Sequence, residues 1–338
     1  MAPTYTARDV LEALNEITGG RMMRRLEDAF GGGNPFVVLK TSQLPGKAIM
    51  ETPGLVCGSL DHPIRKLAVS MTLTESQIEL AGATGVDAIV AHHPVADAAS
   101  CGGVPLRGYV SLYGIAVFEV HEAFHGRHPG IAWIHGHQPF RVEIAYGGLP
   151  GNVMYVGRPL PEIQKARDIL LRLQSFSDLA QEQSFLEMER ATRACPELME
   201  TSVAVAAEIL HGRPEDPVGT ILHLFPHTGF HPDHMRLARK EHPEITTAIV
   251  SISRVKKESA LVETARDFGW TMIAGNAHSL EIFENGIPLA FGLRTLLPEM
   301  EIVLFRERVT SLPLEKAGSP LLRDYGRRMA AEYLLKKK

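Results

Sequence analysis

Short apolar runs alternate with amphipathic stretches along the chain, and several of the runs stop abruptly at histidine. Val86 to Ala91 has almost no polar interruption, the pattern of a strand covered on both faces. Pro94 has no N–H for a ladder and biases His93 towards extended backbone, so the strand ends at His92-His93. Upstream, residues 65–71 predict another strand. A helix follows through Gln77, Ile78, Leu80 and Ala81, capped by Thr72 or Thr74 and stopped by Gly85. Strand, helix, strand in that order requires a crossover and favours parallel pairing. A third strand over residues 115–120 runs into His121-Glu122-Ala123-Phe124-His125. Before them all, Thr6 caps a helix through Val10, Leu11, Leu14 and Ile17 that Gly19-Gly20 ends.

Residues 159–212 are charged and helix-like, with Ile169, Leu173, Phe176, Leu179 and Leu186 in an apolar stripe and Pro196 dividing two helices. The alternation then resumes: strands over 218–225, 245–251 and 270–275, helices over 232–241 and 256–268, and a last strand over 301–305. The order echoes residues 65–92. The expected fold is α/β, with two similar halves (1–150 and 215–338), a helical insertion or linker (151–214), and strand ends facing a shared metal cleft.

Composition narrows the function classes. A chain of 338 residues that is 45% hydrophobic can bury a substantial core, and a formal charge of −4 gives no electrostatic reason to expect nucleic acid or an anionic membrane. No run of 18 apolar residues offers a membrane span. Cys57, Cys101 and Cys195 are too few and too scattered for a disulfide framework or a cysteine zinc knuckle, which points to a reducing, cytoplasmic setting. Gly31-Gly32-Gly33 lacks the Lys-Ser or Lys-Thr of a phosphate loop and reads as a mobile surface loop.

The 15 histidines are the informative count, because they cluster after apolar runs. His92-His93, His121 to His125, and His278 to Glu281 share one local logic and are expected to converge. Imidazoles with a carboxylate suit one or two divalent transition metals per chain, zinc, iron, manganese or nickel, whereas magnesium and calcium demand more oxygen. A metal with an open position activates water, so hydrolysis of a small molecule is the natural outcome. Glu281 is either ligand or base. A denser group, His227, His231 and His234 around Asp233, is open between substrate binding, ligation and helix capping. His135 and His137 read as a packed edge.

Three segments carry a family resemblance: Gly54-Leu55-Val56-Cys57-Gly58, then Leu67 to Thr74, and above all Gly85 to Pro94 with its His-His-Pro turn. They resemble the NGG-interacting-factor-three-like proteins, dinuclear-metal hexamers also known as homologues of a type 2 GTP cyclohydrolase. The resemblance implies metal ligands at His92 and His93, at His125 where the family carries aspartate in a His-Thr-Asn-Leu-Asp motif, and at His278 and Glu281. Here histidine and glutamate are three residues apart, not the family's four. Catalytic roles fall to Glu281 and His125. The resemblance further implies a nucleotide-like, cyclic-amide or phosphoester substrate and a homo-oligomer, a hexamer in the family. The alternative is a non-catalytic metal-binding scaffold.

Overall fold

Two mixed sheets carry the chain, and each buries both of its faces. The computed structural model describes residues 5–41, 45–46, 48–95, 106–143, 154–253 and 255–334. In the first sheet the order is Glu301–Leu304, Lys66–Ser70, Ala88–Ala91, Ala116–Glu119, Gly54–Cys57, parallel except for the last pair. Side chains alternate across it as the two-residue period of a strand requires. Leu67, Val69, Ala88 and Val90 face helices Ala7–Thr18 and Ile287–Leu296, while Ala68, Ile89 and Ala91 face Glu75–Thr84 and Leu106–Tyr113. This double burial is why residues 86–91 are apolar without alternation.

The second sheet runs Glu208–His211, Thr271–Ala277, Ile245–Ile252, Thr220–Leu224, Met154–Pro159, His137–Glu143, with a parallel centre and antiparallel edges. Helices Pro232–Glu241 and Ala260–Phe268 cover the face that carries Leu222, Leu224, Ala248 and Val250. Ala166–Phe176 covers Ile221, Ile249 and Ile273 on the other.

Local signals placed the helix ends. Thr6 accepts from Asp9 N and forms a capping box, and Gly19 ends that helix at φ 72°. Thr74, not Thr72, caps the next helix, and Gly85 at φ 67° ends it. The helix expected from residue 256 starts at Ala260, because the Ser259 hydroxyl accepts from Val262 N and caps it there.

Sheet membership follows a different line from the chain divisions expected at 150 and 214. Glu301–Leu304 pairs with Lys66–Ser70 in the first sheet, and His137–Glu143 belongs to the second. Segments distant in sequence complete each sheet because a parallel strand needs a crossover, and the crossover length is free. His137 is the first residue of a strand with Pro139 inside it and a register shift opposite it between Val156 and Gly157, so the edge has no clean alternating pattern. Cys195 is a buried thiol; Cys101 lies outside the described residues.

Candidate metal centre

The strand Ala88–Ala91 delivers the first two imidazoles without leaving the sheet. His92 N donates to Ser70 O at 2.9 Å and His93 N to Met71 O at 2.8 Å, so the chain tracks its neighbour until Pro94 stops it. The rings lie 5.4 Å apart. His93 Nδ1 bonds Thr72 Oγ1 at 2.8 Å, which turns Nε2 to Glu281 Oε2 at 3.0 Å.

Glu281 comes from the end of Thr271–Ala277. A three-residue 3₁₀ turn, His278–Leu280, follows that strand, and a π-turn, Ile282–Gly286, follows Glu281. In a 3₁₀ turn residues i and i+3 eclipse. A spacing of three therefore keeps His278 and Glu281 on one side, and His278 Nε2 lies 3.4 Å from Glu281 Oε2. The wider π-turn brings Asn285 under the carboxylate, where Nδ2 donates to Glu281 Oε1 at 3.0 Å. His92 Nε2 stands 3.6 Å from the same oxygen.

The one-turn helix His121–Phe124 begins just past Ala116–Glu119, and its i, i+4 spacing puts His121 and His125 on one side with rings 4.6 Å apart. His125 is 5.4 Å from the His92 ring. His121 Nδ1 lies 2.9 Å from Glu51 Oε2, and His125 Nδ1 lies 3.4 Å from Glu122 Oε2. Three ligand groups result, His92-His93-Glu281, His92-His121-His125 and Glu51-His121-Glu122, each with its ligand atoms within 4.8 Å of one another. A cavity of about 50 Å³ opens on them, with His93, His125 and Glu281 on one wall and Tyr155, Phe225 and Ile252 of the second sheet on the other.

The donor set fits a cation. His92 is completely buried with neither ring nitrogen hydrogen-bonded. An unsatisfied buried polar atom costs about 1–3 kcal/mol, and a metal ion removes that cost by taking the lone pair. Burial, together with the facing rings of His93, His125 and His121, keeps His92 neutral, the ligating form. Burial alone raises the Glu281 carboxyl, but its bond to His93 and the surrounding imidazoles outweigh this and hold it at about 2. His93 is the reciprocal case: burial pushes it down and Glu281 more than restores it. Glu281 thus sits where positive charge is stabilised.

All five sequence-derived candidates, His92, His93, His125, His278 and Glu281, meet here. His278 is the outlying member, with its side chain 50% exposed. On its far side a cavity of about 360 Å³ is lined by Asn276, Ser279, Thr201 and Glu307. His231 and His234 do not join any of these ligand groups: His231 caps helix Pro232–Glu241, and His234 Nδ1 accepts the His231 N–H at 3.1 Å. Asp233 pairs with Arg236 instead of capping. The side chain of His227 lies outside the described residues.

Sequence reasoning missed Glu51 and Glu122 and left His121 out of the ligand set. The His121/His125 spacing was a usable signal, whereas nothing around Glu51 marks it. It also missed a second imidazole cluster. His135, His137 and His223 are wholly buried, with His137 Nε2 3.1 Å from His223 Nδ1 and His223 Nε2 2.7 Å from Ser251 Oγ.

Among the described residues no helix is long and apolar enough to cross a membrane. Residues 39–97 match the model of the Duf34/NIF3 (NGG1p interacting factor 3) family. The fold is that of reduced HcgD from Methanocaldococcus jannaschii, at 13% identity, a TM-score of 0.54, and coverage of 90% of this chain and 99% of that one. A NIF3 superfamily protein from Sphaerobacter thermophilus aligns at 13% identity over 90% and 99% of the two chains with a TM-score of 0.45. A Bacillus cereus protein related to NIF3 aligns at 12% over 91% and 98%, also at 0.45. A search of the curated proteins finds no match to the sequence. The matched stretch runs through the His-His-Pro turn and resembles the Duf34/NIF3 family there, and nearly the whole chain takes the fold of reduced HcgD.

Proposed function

We propose that this protein is a metal-dependent hydrolase of a small, nucleotide-like, cyclic-amide or phosphoester substrate. The observation that carries the reading is His92, fully buried with two unpartnered nitrogens and shared by two three-ligand groups. His92, His93, His125, His278 and Glu281 would hold one or two divalent transition metals. When bound, such an ion supplies Lewis acidity and lowers the pKa of water. Thr72 orients the His93 ring and Asn285 holds the Glu281 carboxylate, so both side chains are fixed towards the position an ion would take. His125 lines the small cavity, with Glu122 Oε2 3.4 Å behind its Nδ1. The larger cavity beyond His278 is of a size to take a small molecule.

The test is elemental analysis of protein purified without chelator or affinity metal, beside a His92→Ala/His93→Ala variant, followed by a turnover screen across the three substrate classes. Metal and turnover lost together in the variant support the reading. Metal without turnover in any class overturns the hydrolase and leaves the metal-binding scaffold.

We place the protein in the cytoplasm as a homo-oligomer, a hexamer by family resemblance. The C-terminal helix Pro320–Met329 exposes Leu321, Leu322 and Tyr325, an apolar face suited to a subunit contact. A monomer by light scattering at micromolar concentration would refute the assembly.

A further inference from the structure

His121 is in ring contact with three imidazoles of the cluster, 5.4 Å from His92, 5.6 Å from His93 and 4.6 Å from His125. Its Nδ1 faces two carboxylates, Glu51 Oε2 at 2.9 Å and Glu122 Oε1 at 3.7 Å. An imidazole that donates Nδ1–H to a carboxylate carries its lone pair on Nε2, the arrangement by which proteins orient a ligating histidine. The carboxylate is itself rigidly held. Glu51 closes the hairpin strand Ala48–Glu51, and its side chain is 2% exposed. The next residue, Thr52, donates its N–H to Glu119 Oε1 at 2.8 Å, while Val95 donates to Glu119 Oε2 at 2.8 Å. The buried Glu119 carboxylate therefore ties the hairpin to the chain leaving the His-His-Pro turn. A hairpin outside both main sheets is kept in register with two strand ends, and Glu51 is what it brings to the cluster.

We propose that His121 is a metal ligand and Glu51 its positioning residue. A neutral His92 ring has one lone pair and serves one ion, so His92, His121 and His125 would form an all-imidazole metal position beside one that His93, His278 and Glu281 would make. This rests on the metal reading above and adds two residues to it. The two positions differ in charge. The first has two imidazoles and a carboxylate, a set that suits iron or manganese, and the second has three neutral imidazoles, which suit zinc or nickel. Glu51 and Glu122 supply negative charge behind the second position without entering it.

The test is zinc and cobalt titration of chelator-stripped full-length protein, reading equivalents bound, affinity against a chromophoric competitor, and the cobalt absorption spectrum. Wild type is expected to bind two equivalents and His121→Ala one. His121→Asn, whose amide still meets Glu51, serves if alanine fails to fold by circular dichroism. Glu51→Gln keeps an acceptor for Nδ1–H, so it is expected to retain both equivalents with the second weakened about 10–100-fold. Two equivalents at wild-type affinity in the His121 variants overturn the ligand. A Glu51→Gln variant that loses an equivalent as completely as His121→Ala overturns the positioning role. A wild type that binds no metal overturns the underlying metal reading instead.

Discussion

Acid should unfold this protein through its buried imidazoles, His92 and His128 as well as the second cluster. His135 is locked in its neutral form: Nδ1 donates to Ile131 O at 2.7 Å, and Nε2 accepts from Asn276 N at 3.1 Å. A second ring proton would face an N–H donor. Burial brings His135 down to about 4 and His137 to about 3, and burial with the neighbouring His135 and His137 rings holds His223 well below its ordinary value. Because these folded-state values lie below the ordinary 6.5, the unfolded chain takes up protons first. Stability is whole above pH 6.5 and falls as the pH drops through 6.5 towards 4. One pKa unit is about 1.4 kcal/mol, so His135 alone accounts for roughly 3 kcal/mol. His137, brought lower still, adds a comparable amount, and the two rings together reach the order of a domain's whole stability, about 5–15 kcal/mol. Glu281, held at about 2, loses its contribution only below the usual carboxylate range, outside this window. The assay is urea unfolding of chelator-stripped protein between pH 7.5 and 4.5, followed by fluorescence of the buried Trp270. His137→Gln removes one titrating ring and is expected to flatten the slope by up to about 1.4 kcal/mol per pH unit. A midpoint constant across that range, or a variant with the wild-type slope, would refute the reasoning.

Three further variants are read by urea midpoint. A Cβ at Gly275 would lie 2.2 Å from His135 Nε2 and 3.0 Å from Ser251 Cβ. Gly275→Ala should therefore cost about 1–3 kcal/mol by overpacking. Gly108→Ala, on a helix with open space around it, should be neutral or gain up to about 1 kcal/mol, and equal midpoints for the two variants would contradict this. Burial, with the nearby Glu281 charge, pushes Glu284 well above the ordinary carboxyl range. A raised folded value gives stability that is present at low pH and lost as pH rises, so Glu284→Gln should exceed wild type at pH 8 and converge with it near pH 5; the reverse order would count against it.

The legible parts of the site were those in which one stretch of chain settles the geometry. His92-His93 could be found because an apolar run and a proline fix where a strand must end. His278 and Glu281 could be paired because a single turn carries both, and the structure supplies the reason three residues suffice: the turn is 3₁₀. Glu51 could not be found, since its role depends on a hairpin docked through Glu119, 68 positions further along. His135 and His137 were read as a packed edge. Their burial was legible, but their meeting with His223 requires the pairing of Met154–Pro159 with both His137–Glu143 and Thr220–Leu224.

By itself the sequence determined the α/β class, the helix cap at Thr6 and one at Thr72 or Thr74, the stops at Gly19 and Gly85, and the chain turns that carry His92, His125 and His278. These depend on side-chain periodicity and backbone preference, which act within a few residues. Only the tertiary structure decided that Glu301–Leu304 completes the first sheet, that Glu51 stands behind His121, and that His223 joins His135 and His137 in one buried interior. Contacts between remote segments are set by packing, and burial in a low-dielectric core turns an ordinary histidine into a neutral ligand or an acid-labile one.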